Sequence, residues 1–319
     1  MQVLPIDLNF QNVPGIIASF AIPHKRGVAL VDCGAGSTVP SLVYGLALLG
    51  FRPEEVSDVF LTHIHLDHAG AAGWLAGRGA RIHVHPLGAP HLVNPHKLLD
   101  SAGRIYGAQM QTLWGAFLPV PRENLSILED GDEIQLDELT LCAYTTPGHA
   151  DHHLLFDVQM GRERILFSGD VAGVRLAGAS FLRLPMPPPE LNLEHWRESL
   201  KKVRQLLQIR SPGLSKPAGL ASTHFGVYPD VMWQLDEAEL ILDQYETWIE
   251  RILPSHPTLH QLTELLTRWN EDSAATKGYD GRLAKLHEIP NPAFMSAMGI
   301  QRYWKKYRVF PNARMNDAG

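Results

Sequence analysis

The decapeptide LTHIHLDHAG, residues 61–70, brings His63, His65, Asp67 and His68 within six residues. Four side chains of metal-ligand type crowded so closely are costly to hold together unless they share a cation. The apolar run DVFLT before them predicts a strand that ends at His63, with the motif in the turn into a helix. Two histidines one residue apart at a strand end can point their imidazoles at one ion, while the turn aims Asp67 and His68 at a second. A solvated, histidine-rich turn is the competing account. The density of ligands and the apolar lead-in favour metal. Three further pieces follow at punctuated strand ends: His149 in TTPGHADHH, Asp170 in FSGD and His224 in ASTHFG. Each alone reads equally well as an ordinary turn residue. Their order after the first motif makes them candidates for the same site.

The elements that must position these residues are short apolar runs bounded by Gly, Pro or Asp. They lie at residues 16–23, 27–34, 58–65, 81–86, 139–148, 152–158 and 164–170, and read as strands. Helical spacing appears at 39–50, after His68, and at 192–207, where charged and apolar faces alternate. Strands mixed with crossing helices predict a layered α/β fold. A segment at about 87–121 is too long for a normal connection and reads helical around 90–99 and 105–117, as a lid or wall would. After Tyr228 the strand signal stops, and 230–253, 258–270 and 292–307 read as helices. The expected organisation is a catalytic domain over residues 1–227 and a C-terminal helical region over 228–319.

Composition bounds the function. The chain has 319 residues, 45% hydrophobic and 19% charged, which suffices for a large core. Its net charge of −6 supplies no broad basic field, so no nucleic-acid partner is expected. Only Cys33 and Cys142 are present, which excludes a disulfide framework and a thiolate-rich zinc site and fits a reducing compartment. No apolar stretch approaches the roughly 20 residues needed to cross a bilayer, and the start has no secretory pattern. A cytoplasmic protein without a membrane partner is expected. Trp and Leu on the predicted helices leave both a core role and a homodimer interface open.

With the motif His63-x-His65-x-Asp67-His68 followed by His149, Asp170 and His224, the sequence resembles the metallo-β-lactamase superfamily, over roughly residues 28–226 and including VDCG at 31–34. It is similar to the branch of glyoxalase II-like thioesterases, lactonases and phosphodiesterases. The resemblance implies an αββα sandwich with the metals at one edge. It also implies that His63, His65 and His149 bind one ion, that Asp67, His68 and His224 bind a second, and that Asp170 bridges the two. Asp32 would shape the loop or support the ligands from behind. Antibiotic-hydrolysing members commonly have Arg at the position of His68 and Cys at that of Asp170, which argues against β-lactam hydrolysis. Flavodiiron-type members carry Glu where this chain has His65, which argues against that chemistry.

Such a ligand set predicts two divalent cations about 3.5–4 Å apart, sharing and acidifying a water that attacks a carbonyl or phosphorus. Zinc is the first expectation, with iron or manganese compatible with the same nitrogen and oxygen donors. Asp67 and Asp170 are the candidate catalytic residues, Asp67 also orienting the nucleophile and moving a proton. The leading function is hydrolysis of a small ester-like substrate, thioester or lactone first and phosphodiester second. The alternatives are an iron-dependent, persulfide dioxygenase-like oxidoreductase and a non-enzymatic signal-binding protein. Other residues favour blander roles. His83 and His85 on a predicted strand read as structural. Of His152 and His153, one could support a ligand through its second nitrogen. His91, His96, Tyr106 and Trp114 could line a pocket but fit packing better, and RYWKKYR at 302–308 fits a solvated helix end better than an anion site.

Overall fold

Alternation along the strands sorts side chains into layers. In the computed structural model, which describes residues 3–208 and 216–309, twelve strands form two six-stranded sheets. The first runs β1 (Leu4–Asp7), β2 (Ala18–His24), β3 (Gly27–Val31), β4 (Val56–Phe60), β5 (Arg81–Val84) and β6 (Leu125–Ile127), in that spatial order. The second comprises β7 (Glu133–Leu136), β8 (Leu139–Thr145), β9 (Leu154–Met160), β10 (Glu163–Phe167), β11 (Gly219–Ser222) and β12 (Gly226–Tyr228), ordered from β12 to β7. Alternate residues Phe20, Ile22, Val31, Phe60, Phe156, Val158 and Phe167 meet between the sheets. Their neighbours Ala21, Leu30 and Val59 turn instead to the helices outside the first sheet. Leu155, Leu166 and Leu220 do the same outside the second. Because both faces of the central strands are buried, they read as continuous apolar runs, and the result is a helix–sheet–sheet–helix sandwich.

The helices are α1 (Val39–Leu48), α2 (Leu66–Ala69), α3 (Ala72–Ala76), α4 (Ala89–Val93), α5 (His96–Tyr106), α6 (Met110–Trp114), α7 (Leu193–Gln208), α8 (Val231–Ile252), α9 (Leu259–Thr276), α10 (Gly281–His287) and α11 (Ala293–Tyr303). The helix expected after His68 begins before it: α2 carries Asp67 and His68, and α3 follows from Ala72. In the insert, the expected segments at 90–99 and 105–117 are redrawn. Pro95 ends one helix and caps the next, which runs through Gly103, where a Cβ would meet nothing within 4 Å. The chain beyond Tyr228 is helical, with α9 extending to Thr276 and α10 filling a stretch that the sequence left as a connection. Leu235, Leu242, Tyr245, Trp248, Leu262, Ile300 and Tyr303 share a core with Leu155, Leu166 and Leu220 of the second sheet. Residues 310–319, assigned by sequence to the helical region, lie outside the described residues. No described helix is long and apolar enough to cross a membrane.

Candidate metal centre

All seven candidate ligands gather at one edge of the sandwich, in the loops that leave the strands. β4 delivers His63 and His65, and α2 turns Asp67 and His68 back toward the same edge. β8 leads to His149, β10 to Asp170, and β11 to His224. The glycines in PGH and SGD have a steric role. Gly148 has φ 138°, and a Cβ there would lie 2.3 Å from the backbone of Trp196. Gly169 has φ 49°, and its Cβ would lie 2.7 Å from Thr62 and His153.

Three groups of ligand atoms form, each within 4.8 Å: His63, His65 and His149; His63, His68 and Asp170; and Asp67, His68 and His224. The hydrogen-bond pattern decides what these atoms can do. His149 Nδ1 donates to the Pro185 carbonyl at 2.8 Å, so in the neutral ring its Nε2 has only a lone pair. That lone pair faces His65 Nδ1 at 2.9 Å, His63 Nε2 at 3.3 Å and Asp170 Oδ2 at 3.3 Å. His224 Nδ1 likewise donates to the Ile16 carbonyl at 2.9 Å, leaving Nε2 directed at Asp67 Oδ2 (3.4 Å) and Asp170 Oδ1 (3.6 Å). His68 Nε2 and Asp170 Oδ1 are buried without a hydrogen-bond partner and lie 3.6 Å apart. Lone pairs and carboxylate oxygens directed at one another require a positive charge between them. The donor set fits a metal, and Asp170 presents one oxygen to His149 and the other to His68 and His224.

Asp32 holds this arrangement from behind. Its left-handed backbone, φ 52°, ends β3 and buries the carboxylate completely. It accepts from Thr62 N–H at 2.8 Å, from the Thr62 and Thr223 hydroxyls, and from His68 Nδ1 at 2.7 Å. Burial alone would lower the pKa of His68, but Asp32, Asp170 and Asp67 outweigh it and push it up to about 10. Burial is likewise overcome at His224, whose pKa rises beside Asp170 and Asp67. Burial would raise Asp67, yet His68 and His224 hold its carboxyl well below the usual range. Burial pushes His65 and His149 down to about 4, only partly opposed by Asp67 and Asp170 respectively.

His152 and His153 do not bond the second nitrogen of a ligand imidazole; they brace the loop backbone. His152 Nδ1 accepts from Ile64 N–H at 3.4 Å, and its Nε2 faces Glu190 at 3.3 Å. His153 Nε2 accepts from Asp170 N–H at 3.1 Å, its Nδ1 being bonded to the Thr146 hydroxyl. His83 pairs with Asp58 at 2.8 Å and stacks on Phe60, while His85 Nδ1 accepts from Leu87 N–H; neither belongs to a ligand group.

A cavity of about 500 Å³ opens over His65, Asp67, His149 and Asp170. One wall is the insert, with Lys97, Leu98, Arg104, Tyr106 and Trp114; the other is formed by residues 185–190 and 290–302. His91 also lines it, whereas His96 does not. Tyr106 and Trp114 pack edge to face at 5.1 Å, with Trp114 stacked on Phe10, so they are both packing and lining. In RYWKKYR, the buried Tyr303 bonds Glu194 and Arg308 pairs with Glu246, but Arg302 reaches the cavity. Lys97, Arg104 and Glu190 were not picked out by sequence, since nothing in their spacing relates them to the metal motif.

The metallo-beta-lactamase superfamily model matches residues 12–208. A metallo-beta-lactamase fold-containing protein of Sulfurisphaera tokodaii is 24% identical over 224 residues, 69% of this chain and 77% of that protein. The Atrochrysone carboxyl ACP thioesterase of Aspergillus fumigatus is 29% identical over 160 residues, half of this chain but only 38% of the fungal one. A metallo-beta-lactamase family protein of Thermus thermophilus superposes with TM-score 0.62 at 21% identity, covering 95% of this chain and 92% of its own. The chain belongs to the metallo-beta-lactamase superfamily.

Proposed function

We propose that this protein is a metal-dependent hydrolase that binds two divalent cations, zinc first, and cleaves a small ester-like bond, thioester or lactone before phosphodiester. The observation that carries it is Asp170, whose two carboxylate oxygens face different histidine groups, as a ligand shared by two ions must. His63, His65 and His149 would hold one ion, and Asp67, His68 and His224 the other. Cations there supply Lewis acidity toward water and toward the substrate's carbonyl or phosphoryl oxygen. The chain's residues do the rest. Asp67 lines the cavity and, held ionised by its histidine neighbours, accepts and returns the proton of the attacking water. The cavity is of small-molecule size, and Tyr106, Trp114 and the prolines at 185 and 187–189 shield the reacting carbonyl from bulk water. The likeness to a thioesterase over half of the chain supports the order of substrate classes.

The test is metal content of protein purified without added metal, together with a screen of thioesters, lactones and phosphodiesters. Two zinc or manganese ions per chain are expected, with hydrolysis reduced at least about 100-fold in Asp170→Ala. One iron per chain and no hydrolysis would sink this reading in favour of an oxidoreductase.

A further inference from the structure

The cavity over the candidate metal centre has a second chemical character at its rim. Lys97 and Arg104 stand seven residues apart on α5, which puts them on one face of that helix. Both line the cavity, with Ser101 between them. From the opposite wall Arg302, on α11, lines the same space, and its Nε donates to the Pro189 carbonyl at 3.1 Å, which holds the guanidinium at the rim. Among the described residues none of these three cations makes an ion pair. Other arginines of the chain are paired, Arg175 with Asp230, Arg183 with Glu288, Arg197 with Asp243, Arg204 with Asp236 and Arg308 with Glu246, so what sets these three cations together is the cavity they line. Three cations on two separate walls of one cavity, on a chain of net charge −6, supply local positive charge there.

The lining also includes the apolar side chains Leu66, Leu98, Ile105, Trp114 and Met295. Glu190 also lines the cavity, its carboxylate already engaged by His152 and the N–H of Asp151. We propose that the substrate is an acidic ester, in which a carboxylate or phosphate sits at the Lys97–Arg104–Arg302 rim while the scissile carbonyl lies over Asp67 and Asp170. The scissile end of this inference rests on the hydrolase reading above. The anion end rests on the three cations alone.

Two thioesters of one small thiol separate the ideas: glutaryl, with a distal carboxylate, and pentanoyl, its neutral counterpart. The wild type favours glutaryl by about tenfold or more in kcat/KM, chiefly through KM, and added salt weakens the preference. In the triple variant Lys97→Gln/Arg104→Gln/Arg302→Gln the ratio falls to near one while metal content stays at the wild-type value. Equal handling of both thioesters by the wild type, or a preference that survives in the triple variant, overturns the proposal. Calorimetry on the metal-loaded protein with glutarate and with propyl phosphate reads the anion site without turnover, and the tighter of the two identifies the group. If neither thioester is cleaved, the thioester preference of the hydrolase reading falls, and calorimetry alone decides the rim. Anion binding that is lost in the triple variant would still uphold the rim, and no binding at millimolar concentration would end it.

Discussion

His149 and His224 each commit an Nδ1 hydrogen to a backbone carbonyl, and His68 commits its own to Asp32, so three Nε2 atoms face an acidic pocket. Without a cation, a proton on His68 is what that pocket draws in, since its pKa lies near 10. Because this folded pKa exceeds the ordinary value of about 6.5, the proton stabilises the metal-free protein fully below that value, and the contribution is lost as pH rises through about 10. A metal must displace that proton. Apparent zinc affinity should therefore rise from pH 6 to pH 9, by up to about tenfold per unit for each proton released. Calorimetry in buffers of different ionisation enthalpy would count the protons, and an affinity flat with pH would contradict the assignment. Asp32→Asn keeps the size of the side chain but removes the charge that orients His68, and should weaken metal binding about 10–100-fold, measured by competition with a chelator. The seven ligand-type residues were legible in the sequence because four crowd into one turn and the others stand at Gly-marked strand ends. Asp32 came only through resemblance, because its partners Thr62, His68 and Thr223 come together only in the fold.

Strands β2, β3, β9 and β10 were legible because burial on both faces makes them largely apolar, and β8 because its buried residues alternate with half-buried ones. β6 and β12 have three residues each and β7 is half exposed, so no pattern marks them; they exist by pairing with a longer neighbour. In the insert, α5 has well-separated apolar and polar faces, but Gly103 and Ser101 disguise its middle. A polar pair fixes β9 against β10. Arg164 is buried, with Nε and Nη2 bonded to Asp157 at 2.7–3.0 Å and Nη2 also reaching the Leu206 carbonyl on α7. Asp157→Ala removes the carboxylate that takes three of the hydrogen bonds of this buried guanidinium and should cost about 3–5 kcal/mol. Urea denaturation monitored by circular dichroism would show it; a loss under about 1 kcal/mol would mean that the Leu206 carbonyl and water satisfy Arg164.

At the scale of the whole molecule, the candidate metal edge is built from one set of loops and its roof from two others: the insert between β5 and β6, and the C-terminal helices. The sequence located both pieces but not their meeting, since residues near 97–114 and near 290–302 lie almost 200 positions apart and share no periodicity. Arg183 joins the C-terminal wall to the frame. It is buried, paired across an isolated bridge with Val174 just beyond Asp170, and reaches into the C-terminal wall. Its Nη1 donates to Glu288 at 2.6 Å and its Nη2 to the Asn291 carbonyl at 2.9 Å, while the other oxygen of Glu288 accepts from Ala293 N–H at the start of α11. One carboxylate thus fixes the start of the helix that carries Met295 and Arg302 to the cavity. Glu288→Gln keeps the shape and removes the counter-charge, which should cost about 1.5–3 kcal/mol. Because the metal ligands do not touch this pair, metal content should stay constant while KM for an acidic substrate rises several-fold. A variant that loses stability with KM unchanged would show that the wall is held by its apolar packing alone, and that this ion pair serves the fold without setting the shape of the pocket.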